Sequence, residues 1–268
     1  MAWHSNLRQI ADKLTYLRHH PLEEVRMVAE AIEDALCEAL PSSFSRKRYP
    51  ETEVYVSKFM TSGYLFTDKS CPDFMLYHDG VNLAQLREYA DELSQRPNRE
   101  TELPWYIDEC GYVQFKFLLD FGSFRDIQRH RAVTQRMPLV TMHHGFEPWY
   151  IEQMPERLSL KVMSSLETLR CEVESLGLDI SVEEMQYFTP MGYRLPNRLT
   201  GGLKALVYLA ERRARKDVHP TLQIRAHQMA YELNDRFGSF GLTVHTDNDQ
   251  GRFDISRGHQ DIVRKDQG

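Results

Sequence analysis

Arg129, His130 and Arg131 stand consecutively, shortly after Phe121, Gly122 and Ser123. Two guanidinium groups beside an imidazole that titrates near neutrality suit the gripping of a phosphate or carboxylate. The same three residues equally suit a solvated basic turn paired with surface acids. A second patch has matching character. Thr200, Gly201 and Gly202 lead into Leu203 and Lys204, which predicts a helix N-terminus whose bare N–H groups point at an anion, with Lys204 adding charge. The plainer alternative is a capped helix with a glycine pair in its loop. Arg212, Arg213 and Arg215 follow on that helix. Arg213 lies about three turns beyond Gly202 and so shares a face with the helix start. One ligand with separated polar ends would touch both patches.

Other chemistries lack their residues. The histidine pairs His19–His20 and His143–His144 are adjacent, a poor arrangement for two ligands on one metal, and no H-E-x-x-H occurs. Cys37, Cys71, Cys110 and Cys171 are far apart with no C-x-x-C, so they are expected to be reduced, buried fillers without a disulfide framework or a zinc site. No G-x-S-x-G elbow, P-loop or G-x-G-x-x-G fingerprint is present. Of 33 basic residues 24 are Arg, against 39 Asp and Glu, for a net charge of −6. That balance argues against nucleic acid as a partner, since coating it needs a broad basic surface. Any anion site must be local. No segment approaches the ~18 apolar residues of a membrane span, and the first residues lack a signal-peptide layout, so a cytoplasmic protein is expected.

With 268 residues, 41% hydrophobic and 11% aromatic, the chain has enough apolar surface to build a core. Leu22, Val25, Ala29, Ile32, Leu36 and Leu40 recur at helical spacing after Pro21. Residues 42–72 predict a loop-rich stretch with at most one or two strands around Val54, Val56 and Phe59. Leu83 to Leu93 predicts a helix stopping before Arg96. Val113, Phe115, Phe117 and Leu119 alternate with Gln114 and Lys116, which predicts a half-buried strand over 112–119. Ser123 is placed to cap a short helix carrying Phe124 through Arg131. Leu158, Val162, Leu166, Leu169, Val173 and Leu176 predict a long core helix closed by Gly177. Further helices are expected from Leu203 and over 221–236. The fold class is α+β, several amphipathic helices packed on a small sheet in one domain. Residues 1–95 form its N-terminal helical and loop-rich part, 96–250 its binding core and 251–268 a polar tail.

Gln128, Arg129, His130, Arg131 and Thr134 resemble the opening of the signature R-H-R-x-x-S-x-N-E-x-S-x-R of flavin-dependent thymidylate synthases. Gln186 to Pro190 is similar to the segment ending in Leu-Pro, and the run from Gly202 through Lys204 to Arg213 resembles the family's N-x-R-x-x-x-x-x-x-x-x-R helix. At the signature's Asn, Glu, Ser and Arg this chain has Arg136, Met137, Leu139 and Thr141.

The resemblance implies a mixed domain assembling as a homotetramer, with FAD and a uridine nucleotide bound where subunits meet. It implies methylenetetrahydrofolate as one-carbon donor, NADPH as reductant and no cysteine nucleophile. Carried over by position, Arg129, His130, Arg131, Thr134, Gly202 and Lys204 would face FAD. Gln128, Arg136, Tyr187, Arg194, Arg212 and Arg213 would face the nucleotide. The expected activity is reductive methylation of a uridine nucleotide at C5. The alternatives are a flavin- or nucleotide-binding homologue with altered or lost chemistry, and a helical nucleic-acid- or protein-binding module.

Overall fold

The computed structural model describes residues 5–45, 47–62, 70–97, 101–176 and 180–247. It is α+β, as expected, with ten α-helices and a four-stranded antiparallel sheet among these residues. The chain divides into two compact units, residues 1–67 with 168–189 and residues 68–167 with 190–268. Phe74–Asp79 pairs with the central strand, which places residues 74–95 in the second unit. The expected tail, 251–268, and the closing Gly177 lie outside the described residues.

In the first unit, α1 (Leu7–Arg18) and α2 (Glu23–Ala39) bury Ile10, Leu14 and Ala29 together with Phe44. The expected strand around Val54 is instead a helix, α3 (Pro50–Phe59). Pro50 is preset for a first turn and Glu51 and Glu53 complement its dipole, and these local signals outweigh the β-branched residues. Arg18, 8% exposed, joins the three helices by donating to Glu33 at 3.1 Å and Glu53 at 2.8 Å.

The second unit begins with β1 (Phe74–Asp79), α4 (Leu83–Glu88) and α5 (Ala90–Ser94); a break at Tyr89 splits the single helix expected there. A 3-10 turn over Trp105–Cys110 leads to β2 (Val113–Asp120). Then come α6 (Phe121–Ile127), β3 (Thr134–Arg136), α7 (Pro148–Glu152), α8 (Glu156–Leu176), whose residues from Thr168 on belong to the first unit, β4 (Arg194–Gly201), α9 (Leu203–Arg213) and α10 (Pro220–Phe237). The sheet order is β1-β2-β4-β3.

The alternation read in β2 is present. Val113, Phe115, Phe117 and Leu119 are buried and pack with Leu199 of β4 and the apolar faces of α9 and α10. β4 carries Pro196, a residue that weakens any expectation of a strand. It is tolerated because β3 pairs only with Arg198–Thr200, so no strand lies outside β4 at Pro196. The long helix α8 exists, yet it is not core scaffold: of its stripe only Val173 is buried, and Leu158 and Leu176 are exposed. Cys71 and Cys110 are buried as expected, whereas Cys37 is half-buried and Cys171 exposed on α8.

Phe117 is the centre of this packing and is fully buried. Phe117→Ala is expected to cost about 3–5 kcal/mol, from lost transfer energy and the cavity left behind. Urea unfolding with an unchanged m-value checks it; a loss under 1 kcal/mol contradicts this placement of the core.

A candidate anion-binding site

α6 is launched from the buried end of β2. Its cap is Asp120, whose Oδ2 accepts from the Ser123 N–H at 2.9 Å; Ser123 is inside the helix and not its cap. The helix ends at Ile127, so Arg129, His130 and Arg131 lie in the turn that follows it and not on the helix. Leaving the helix lets neighbouring side chains diverge. Arg129 faces outward, 3.5 Å from Asp126, and Arg131 is exposed, while the His130 ring turns inward against the edge of Tyr208. Gln135 pins this turn by donating to the carbonyls of Ile127 and His130 at 2.8 and 2.9 Å.

The second arginine patch arrives on the last turn of α9. Arg213 Nε donates to His130 Nε2 at 2.9 Å, and its Nη2 donates to the Asp126 carbonyl at 2.7 Å. A guanidinium has only donors, so His130 Nε2 must accept and the ring hydrogen sits on Nδ1. Burial, reinforced by the Arg213 and Arg212 charges, lowers the His130 pKa to about 4 against a smaller opposing pull from Asp126. Burial likewise pulls Arg213 below its ordinary value. The imidazole is therefore neutral at physiological pH and serves as an oriented dipole.

These groups line a cavity of about 460 Å³. Its walls hold Arg129, Arg131, Arg212, Arg213 and Arg215 against Asp126 and Asp217, a net +3 with His130 neutral. Tyr208, Ala205, Val133 and Val218 supply apolar surface. Five planar cations around a small space suit a multiply charged anion such as a phosphate or pyrophosphate. Tyr208 gives a flat ring for the organic part of a ligand. Among the described residues no group of three or more His, Cys, Asp or Glu is placed to hold a metal ion.

Of the residues singled out in the sequence, Arg129, His130, Arg131, Arg212 and Arg213 meet in this cavity; the others do not line it. Gln128 is the exposed residue closing α6, and Thr134 is exposed on β3. Arg136 lies opposite Arg198 in the sheet, and Arg194 donates to the His144 carbonyl at 2.8 Å. Tyr187 belongs to the first unit, where its hydroxyl donates to Glu24.

Gly202 and Lys204 meet acidic residues of the chain itself. The start of α9 already holds an anion of the chain itself, the Asp108 carboxylate, which accepts from the Lys204 N–H at 2.7 Å. Lys204 Nζ pairs with Glu102. A Cβ on Gly202 would fall 2.3 Å from Asp108 Oδ1, so the missing side chain there makes room for a carboxylate. Asp126, Tyr208 and Asp217 also line the cavity, beyond the residues singled out in the sequence. The spacing of Ala205, Tyr208 and Arg212 carried the signal, because steps of three and four put them on one helix face.

No protein-family model matches the sequence. The chain is 28% identical over 179 residues to a UPF0159 protein of Chlamydia pneumoniae, covering 65% of this chain and 33% of that protein. It is 28% identical over 176 residues to one of Chlamydia muridarum, covering 64% and 32%. To the UPF0159 protein Ta1429 of Thermoplasma acidophilum it is 30% identical over 142 residues, covering 52% and 28%. The chain thus spans about a third of the length of the curated relatives it matches. Two solved structures are similar. One is a UMP/dUMP methylase, PolB, from Streptomyces cacaoi bound with 5-Br UMP, with a TM-score of 0.42, 14% identity and coverage of 68% of this chain and 99% of that one. The other is the flavin-dependent thymidylate synthase ThyX from Helicobacter pylori complexed with FAD and dUMP, with a TM-score of 0.42, 13% identity and coverage of 63% and 97%.

The depressed His130 pKa has a consequence for stability. In the unfolded chain the imidazole protonates below about 6.5, whereas in the folded protein it does so only near about 4. As pH falls through that window the unfolded state binds more protons, so stability present above pH 6.5 is progressively lost. Because the ring is partly exposed, the loss is expected to be no more than about 2 kcal/mol. Urea midpoints at pH 7, 6 and 5 should drop less steeply for His130→Gln than for the wild type. Parallel slopes would refute the assignment.

Proposed function

We propose that the arginine cavity holds the phosphates of a flavin nucleotide or uridine nucleotide. On this reading the chain is a flavin-dependent enzyme of the thymidylate synthase type, methylating a uridine nucleotide at C5 with methylenetetrahydrofolate and NADPH, as a cytoplasmic homotetramer. The observation that carries the reading is the Arg213–His130 hydrogen bond. It joins the two stretches in which the sequence resembles that family, 83 positions apart, at one cationic cavity.

The residues present fit the phosphate-bearing part of such ligands: Arg129, Arg131, Arg212 and Arg215 face the cavity around the Arg213–His130 anchor. When bound, a flavin supplies the electron chemistry. The residues of the chain bind and orient. Arg129 and Arg131 would neutralise phosphate charge, Arg212 and Arg215 would set the ligand's angle, and Tyr208 would border its ring. A second reading, a binding homologue with altered or lost chemistry, is favoured by the placement of Arg136, Thr134, Gly202 and Lys204 away from the cavity and by Asp108 in the helix end where an anion was expected.

Two measurements test the proposal. Purified protein should retain or take up FAD, seen as flavin absorbance after gel filtration. Arg212→Ala should weaken FAD or UMP binding about 10- to 100-fold, the worth of one charge-assisted contact, with little change in thermal midpoint. Tritium release from C5-labelled deoxyuridylate, in the presence of methylenetetrahydrofolate and NADPH, then separates the readings. Flavin binding without release removes the synthase assignment and leaves the binding homologue; no binding of FAD or UMP removes both.

A further inference from the structure

The helices α9 and α10 pack on one face of the sheet, over Phe115, Phe117 and Leu199. The alternate residues of the strands point to the other face. There the register places Met75, Lys116, Arg198 and Arg136 directly opposite one another, in a single row that crosses all four strands. Three of the four are cations, and all three are partly exposed. The next row along the strands is polar: His78, Gln114, Thr200 and Thr134, with Gln114 donating to the Thr200 hydroxyl at 2.7 Å. Neither row contains a carboxylate, and none of these residues lines the arginine cavity.

An aromatic ring lies at the β1 end of the row. The pairing of β1 with β2 shifts by one residue between Leu76 and His78, so Tyr77 is an extra residue in the ladder, a bulge of the kind that re-aims a side chain. Its ring is turned across Lys116, whose Nζ sits 3.6 Å from the ring centroid, and the central carbon of the Arg198 guanidinium lies 5.9 Å from it. The ring is nevertheless 49% exposed. It is held by cations and still offers surface on which a flat group can stack.

Like charges directly opposite one another destabilise a sheet, and an anion laid along the row offsets that repulsion. From Lys116 on β2 to Arg136 on β3 is two strand spacings, about 10 Å, too long for one phosphate group and matched by a chain of them. The net charge of −6 argues against a broad nucleic-acid coat; this row is narrow and local. A duplex hides its bases from Tyr77, whereas a single strand brings phosphates to the row and a base to the ring. We propose that this sheet face binds single-stranded nucleic acid, with Lys116, Arg198 and Arg136 along its phosphates and Tyr77 stacking a base. The proposal stands apart from the reading of the arginine cavity.

The test is fluorescence anisotropy of a labelled oligouridylate of about ten residues with the full chain, at salt concentrations from about 50 to 200 mM. Three phosphate contacts give an expected slope of log K against log salt of about −2. Arg198→Gln is expected to flatten that slope by about 0.7 and to weaken binding about 5-fold at 0.1 M salt, and Arg198→Lys to keep the slope. Tyr77→Leu is expected to weaken binding about 5- to 100-fold with the slope unchanged, a split that a merely structural role would not give. Absence of binding by the wild type at about 50 mM salt overturns the proposal. So does binding that either Arg198→Gln or Tyr77→Leu leaves unchanged, because it then lies at another cationic patch. Equal affinity for a duplex of the same length, or displacement by UMP at equal concentration, also overturns it, because each removes the single strand as the ligand.

Discussion

One guanidinium group organises the candidate site. Arg213 reaches from the last turn of α9 to His130 Nε2 and to the Asp126 carbonyl, so it ties a helix end to the turn that Gln135 of β3 also pins. Because the group is donor-only, it dictates the tautomer of His130. Because both partners are half-buried, it holds the imidazole uncharged. The surrounding arginines then meet a rigid, neutral floor instead of another cation, which lowers the cost of crowding five of them around one cavity.

The same economy governs the neighbouring polar group. A carboxylate with no solvent exposure persists because donors converge on it from Ser123, Tyr150 and Thr221. Asp120 caps α6 with one oxygen and organises the start of α10 with the other. Removing its charge would loosen two elements that border the cavity: α6 holds Asp126, and Val218 precedes α10. Arg225 supports the far end of this region, donating to the Leu118 carbonyl at 2.9 Å and to both oxygens of Asp73.

The start of α9 shows how the same physics gives a different occupant. Glycine at its entry and bare N–H groups do create an anion site, but the anion is Asp108, delivered by the 3-10 turn before β2. A sequence window around Gly202 contains everything needed to expect an anion and nothing to say that residue 108 supplies it. Lys204 is likewise turned toward Glu102 and away from the cavity.

Local pattern by itself determined the helices α2, α9 and α10, the strand β2 with its buried phenylalanines, and the pairing of basic residues with anion chemistry at Arg129–Arg131 and Arg212–Arg213. Each rests on spacing within one segment. It misread α3, where a proline and two early glutamates outweighed three β-formers, and it missed β3 and β4, short or proline-bearing strands that exist because a neighbour completes their hydrogen bonds. Only the tertiary structure decided that Arg213 meets His130, that Tyr208 and Arg215 join them, and that Thr134, Arg136, Tyr187, Arg194 and Lys204 lie outside the cavity. The reason is physical: hydrogen bonds and desolvation between residues far apart in the chain depend on how the sheet stacks its helices. No periodicity within a single segment encodes that distance.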